Sequence, residues 1–117
     1  MRNEILLNSV DASTQQISGF VNFDKRAEWK LNVTSTGLDA TPKIFIEESF
    51  TPGKSEPPTV WTVYQNPCSA DGSFEIDSDS VPIEKKDFKL NWFRIRLEAN
   101  GNTAGTLTAS LHYKTFP

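Results

Sequence analysis

Large apolar residues recur at every second position along most of this chain. Trp29, Leu31 and Val33 alternate with Lys30, Asn32 and Thr34, and Ile44 and Ile46 with Lys43, Phe45 and Glu47. Further on, Trp61 and Val63 alternate with Thr62 and Tyr64, and Phe74 and Ile76 with Ser73, Glu75 and Asp77. Successive side chains of a strand point to opposite sides of a sheet, so period two marks a strand with one face buried. Each run therefore predicts one strand. The stretch from Trp92 to Lys114 predicts two more. In the first, Phe93, Ile95 and Leu97 face inward while Arg94, Arg96 and Glu98 face out; in the second, Leu107, Ala109, Leu111 and Tyr113 repeat the pattern. Ala99 to Gly105 lies between them and reads as the turn of a hairpin. With a strand over Ile17 to Asn22 and a short edge strand at Ile5 to Leu7, the count reaches seven or eight.

The breaks between runs carry turn chemistry: Gly37, Pro42, Asn66-Pro67, Asp71-Gly72 and Asn100-Gly101. Ser49 to Pro58 contains Pro52, Gly53, Pro57 and Pro58, which oppose strand and helix alike, and reads as a surface loop. Val81 to Asn91 reads as irregular, with room for one helical turn near Glu84 to Asp87. Short, evenly spaced strands without an amphipathic helix between them predict an all-β, antiparallel β-sandwich, jelly-roll or Ig-like, in a single domain over 1–117.

Charge and candidate chemistry narrow the function mainly by exclusion. Lys and Arg number 12 against 15 Asp and Glu, a net charge of −3, so no overall positive field would draw in nucleic acid. Basic residues near Trp92 are interspersed with Glu84, Asp87 and Glu98, and no nucleic-acid partner is expected. No run of about 18 apolar residues predicts a membrane span, and the first residues lack a signal-peptide core, so synthesis in the cytosol and no membrane partner are expected. Cys68 is the only cysteine, which leaves no internal disulfide and no multi-thiolate metal site. His112, the only histidine, shares its strand face with Thr106, Thr108 and Ser110 and reads as solvent-facing. The acidic stretch Asp71 to Ser80 lacks the glycine and closing glutamate of an EF-hand loop, and reads as solvated turns. The glycines of Ala99 to Gly105 lead into a strand rather than a helix, which argues against a phosphate cradle. No catalytic, cofactor-binding or metal-binding residue is expected. Trp29 and Trp61 run in phase with the core. Trp92 shares the parity of Arg94 and Arg96, which places it at the surface, capping the sandwich rim or meeting a partner.

The order of several motifs resembles a known family. Phe23-Asp24 precedes "WKLNV" (Trp29 to Val33), followed by "IFIEES" (Ile44 to Ser49), Trp61-Thr62, "RIRL" (Arg94 to Leu97), a glycine-rich turn and "GTLTASLHYK" ending at Lys114. This order is similar to that of small β-sandwich virion proteins of tailed bacteriophages, especially those infecting Bacteroidetes and including crAss-like phages. Many of those proteins have a short "SNDG" turn where this chain has its proline-rich loop. The resemblance implies a virion component present in many copies, assembled in the host bacterial cytoplasm. The type implied is a capsid auxiliary or decoration protein that binds the major capsid protein or other virion proteins, with self-association open. A tail, collar or head-fibre module is the alternative within the virion. Partner contacts are expected at Trp92, Arg94 and Arg96 on the outward strand face and at Phe50, Pro52, Pro57 and Pro58 on the long loop. A carbohydrate-binding module for host attachment, stacking sugar on Trp92, is the reading from another class.

Overall fold

The computed structural model describes residues 2–23, 27–49, 59–64, 69–88 and 92–115, with the backbone alone at 27 and 84–88. Ten strands and no helix form among them. Strands β1 (Arg2–Asp11), β4 (Ala27–Thr36), β8 (Ser80–Phe88) and β10 (Thr106–Thr115) make a four-stranded sheet in the order β1-β10-β4-β8. The six-stranded sheet has β5 (Lys43–Ser49) and β9 (Trp92–Glu98) at its centre. The two-residue strands β2 (Gln16–Ile17) and β3 (Val21–Asn22) both pair with β9, while β6 (Thr62–Val63) and β7 (Phe74–Glu75) both pair with β5. Every pairing is antiparallel.

The fold is an antiparallel β-sandwich, and its pairings nest from the middle of the chain outward: β5 with β6 and β7, β4 with β8, β2 and β3 with β9, β1 with β10. Nested pairs wound alternately into two sheets are the jelly-roll arrangement. Leu31, Val33, Leu107 and Leu111 of one sheet and Ile44, Ile46, Ile95 and Leu97 of the other are buried in a common core. At one end of that core the Phe93 ring meets Trp29 at a centroid distance of 5.1 Å and Phe23 at 5.7 Å. Burying each such side chain stabilises the fold by roughly 1.5–3 kcal/mol.

Three expectations are corrected. β9 and β10 are not a hairpin, because they lie in different sheets and residues 99–105 carry the chain across the sandwich. Both strands bury one face in the same core, so alternation looks the same whether they pair or oppose one another. Glu84 to Asp87 is strand, not a helical turn, since Lys30 and Trp29 of β4 stand opposite Glu84 and Lys85; ladder pairing there overrides a charged composition with little strand preference. Ile17 to Asn22 is two short strands, because Ser18 leaves the ladder: its hydroxyl accepts from the Ile95 N–H at 2.9 Å and its own N–H donates to the Ile95 carbonyl at 3.0 Å.

The edges resist strand addition. β1 has two register shifts and Ser9 in a left-handed conformation (φ 49°), and the edge strands of the other sheet are two residues long; bulges and short edges both spoil a template for pairing. Just before β8, the Asp79 carbonyl accepts from the Ser35 N–H of β4 at 3.0 Å. That bond fixes the alternation with β4, so Pro82, opposite Asn32, has its nitrogen on the free side of the strand. An incoming strand would find no donor there. Pro82→Val is expected to restore the donor and cause concentration-dependent self-association, measured by sedimentation velocity; a Pro82→Val protein that behaves as wild type at all concentrations would refute the guard.

Asp71 organises the turn before β7. Its Oδ1 accepts from the Ser69 hydroxyl at 2.7 Å and from the Ser73 N–H and hydroxyl at 3.0 and 2.6 Å, and its Oδ2 from Lys43 Nζ at 2.9 Å. The Ser73 hydroxyl, then Lys43 and Ser69, hold this carboxyl well below the usual carboxylate range. Thr103 does the same for Asp39, and Ser13 for Asp11, each less strongly. A carboxyl with a lower pKa when folded binds protons more weakly folded than unfolded. Its stabilisation is present above the unfolded value of about 4 and is lost as pH falls below it. The thermal midpoint is therefore expected to drop below about pH 4, and Asp71→Asn to flatten that drop, in a pH series of melting curves.

Candidate interaction face

The register of β5 against β9 builds a ladder on the outer surface of the six-stranded sheet. Ser49 stands opposite Trp92, Glu47 opposite Arg94, Phe45 opposite Arg96 and Lys43 opposite Glu98, while Ile44, Ile46, Ile95 and Leu97 point inward. Directly opposed outward side chains are close enough to touch. Val63 of β6 pairs with Glu47, which puts Val63 and, two residues earlier, Trp61 on this outer surface too.

Glu47 is only 7% exposed at the centre of the face. Its Oε1 accepts from Arg94 Nε at 2.7 Å and its Oε2 lies 3.3 Å from Arg96 Nε. Arg96 also donates through Nη1 to Glu98. The Arg94 guanidinium lies 4.3 Å from the Trp61 ring centroid, and that of Arg96 lies 4.3 Å from Phe45. Each arginine is thus clamped between a ring and a carboxylate, a contact worth about 0.5–2 kcal/mol for the ring alone. The buried carboxylate, in turn, has a cation on each of its two oxygens. Glu47→Ala would leave the two guanidiniums adjacent without their shared anion. Because both arginines are about a quarter exposed, solvent moderates the loss, and a cost of about 2 kcal/mol is expected in denaturant titrations. Combining it with Arg94→Met should cost less than the sum of the single changes; strict additivity would mean that the clamp contributes nothing.

The expected site residues fare differently. Arg94 and Arg96 lie outward on β9 as their parity predicts. Trp92 shares their side of the strand yet is 3% exposed, because Phe20, between β2 and β3, covers it edge-on at a ring distance of 5.3 Å. The expectation of a tryptophan at the surface is corrected, and the exposed aromatic among the described residues is Phe20, at 50%. Trp61, assigned to the core by phase, is outside. In its place Tyr64 turns inward and stacks parallel on Phe74, with ring centroids 6.3 Å apart. The run from Trp61 to Tyr64 carries large side chains at both parities, so alternation could not choose. Phe50, Pro52, Pro57 and Pro58 lie outside the described residues. Glu47 and Phe45 were not anticipated as site residues. Their signal was faint: an aromatic and an acid at the polar phase of an otherwise apolar strand. Ile17, opposite Arg96 and half exposed, adds apolar surface to this side.

Elsewhere, His112 lies outward on the four-stranded sheet with Nδ1 2.6 Å from Asn3 Oδ1, its cross-strand neighbour. An open cleft of about 640 Å³ runs between the edges β7 and β8, floored by Phe74 and Ile83 and rimmed by Lys43, Asp71, Glu75 and Asp77. Among the described residues, no three His, Cys, Asp or Glu side chains converge as metal ligands. No protein-family model and no curated protein sequence matches the chain.

Proposed function

We propose that this chain is a bacteriophage virion structural protein, a capsid auxiliary or decoration protein that binds the shell in many copies through the outer face of its six-stranded sheet. The observation that carries this reading is the composition of that face: Arg94, Arg96, Trp61 and Phe45 locked around Glu47, with Ile17 and Phe20 exposed beside them. Arginine and aromatic residues held in fixed rotamers are the groups that supply most binding energy at protein interfaces, because little side-chain entropy remains to be lost. Guarded edges direct contact to the face and the loops instead of to strand addition. The motif order shared with small phage sandwich proteins supports the same reading. Such a role asks for shape and contact, and invokes no cofactor, nucleic acid or catalytic group. Each copy need bind only modestly, since any protein that binds the assembled shell and not its separated subunits stabilises it by mass action.

Quantitative mass spectrometry of purified particles tests the proposal. Hundreds of copies per particle support a capsid location, about a dozen support a tail, collar or fibre module, and none overturns the reading. The carbohydrate-binding alternative loses its platform, because Trp92 is buried and the guanidinium of Arg94 lies over the Trp61 ring.

A further inference from the structure

We infer that Arg94 is a preset receptor for a single carboxylate on a partner protein. This inference deepens the proposed docking role and rests on the same face. Nε of Arg94 is engaged by Glu47, one side of the guanidinium lies on Trp61, and neither Nη donates a hydrogen bond to any described residue. About a quarter of the side chain is open to solvent. A planar guanidinium so held presents two parallel donors whose spacing matches the two oxygens of a carboxylate. The ordering that such recognition normally requires has already taken place in the fold.

Charge sets the partner. Arg96 is shared by Glu47 and Glu98 and Arg94 faces Glu47 alone, so the two arginines and two carboxylates balance and the outer edge of Arg94 is the positive group left for a partner, while the chain's net charge of −3 opposes a polyanion. One acidic side chain fits this field better than a phosphate backbone. The exposed Ile17 and Phe20, on the β2–β3 side of β9, supply apolar contact around it. The partner segment is thus an Asp or Glu flanked by apolar residues, on a protein surface.

The test uses the full chain and an array of dodecapeptides that each carry one Asp or Glu between apolar residues. Each peptide is paired with its Asn or Gln twin, and a single-stranded oligonucleotide is run in parallel. The expected result is that acidic peptides bind at least tenfold more tightly than their amide twins, and that Arg94→Lys, which keeps the charge but loses the fork, removes that preference. The comparison of twins on the wild-type chain needs no variant, so it holds even if Arg94→Lys unfolds. Equal binding of the twins, no binding by any acidic peptide, an Arg94→Lys protein that retains the preference, or Arg94-dependent binding of the oligonucleotide would each overturn it. Absence of the chain from particles, with the acidic preference intact, would overturn the virion reading and leave the carboxylate receptor standing.

Discussion

Asn102→Asp is expected to destabilise the fold by about 4 kcal/mol and to lower the melting midpoint by about 15 °C, although it exchanges one amide for a carboxyl of the same size. Asn102 is 2% exposed in the crossing from β9 to β10. Its Nδ2 donates to the carbonyls of Ala12 at 2.9 Å and Ala104 at 2.7 Å, and its Oδ1 accepts from the N–H groups of Asp39 at 2.9 Å and Ala40 at 3.1 Å. One side chain thus ties together the β1–β2, β4–β5 and β9–β10 crossings. A carboxylate keeps the two accepted bonds but sets an anionic oxygen against two carbonyls, with burial adding its own cost. Asn102→Ala leaves the same four backbone groups unpaired without the charge, and about 3 kcal/mol is expected. Equilibrium denaturant titration separates the outcomes. An aspartate variant within about 1 kcal/mol of wild type would mean that the crossings hold without this link.

The rigid end built by Asn102 explains why the fold was only half legible. Alternation located β4, β5, β9 and β10 because one-sided burial imposes period two on whatever residues occupy them. It said nothing of which sheet each strand joins. The assignment of β9 and β10 to opposite sheets rests on Asn102 and its partners in three loops far apart in sequence, and a lone asparagine beside Gly101 reads equally well as part of a hairpin turn. Similarly, β2, β3, β6 and β7 are two residues each, so a period that marks their place cannot fix where they begin, end or break.

The face was legible in its arginines and illegible in what holds them. Arg94 and Arg96 showed themselves as charges at the outward phase of an apolar strand. Glu47 and Trp61 become their partners only through the pairing of β5 with β9 and of β5 with β6, which joins residues 47 apart in the case of Glu47 and Arg94. Trp92 misled for the opposite reason. Its parity was read correctly, but burial on an outer sheet face depends on whether another segment covers it, and Phe20 does so from a loop whose path no periodicity records.

Gly105→Ala is expected to cost about 4 kcal/mol, and Gly101→Ala, four residues earlier in the same crossing, only about 1 kcal/mol. Both glycines are left-handed, with φ of +91° and +83°, so both substitutions carry the conformational penalty of a side chain there. They differ in what surrounds them. A Cβ on Gly101 would meet nothing within 4 Å, whereas one on Gly105 would lie 2.5 Å from the Thr36 carbonyl oxygen and 2.7 Å from the Gly37 carbonyl carbon. Those atoms belong to the β4 exit, which passes Gly105 backbone to backbone and cannot rotate away as a side chain would. The Gly105 carbonyl also accepts from the Ala12 N–H at 3.1 Å, so any shift strains the β1–β2 crossing as well. Side-by-side thermal melts of the two alanine variants isolate the steric part from the shared backbone part. Equal losses would mean that the close approach of the two crossings has slack enough to accept a methyl group, and that the sandwich end is less tightly built than its hydrogen bonds imply.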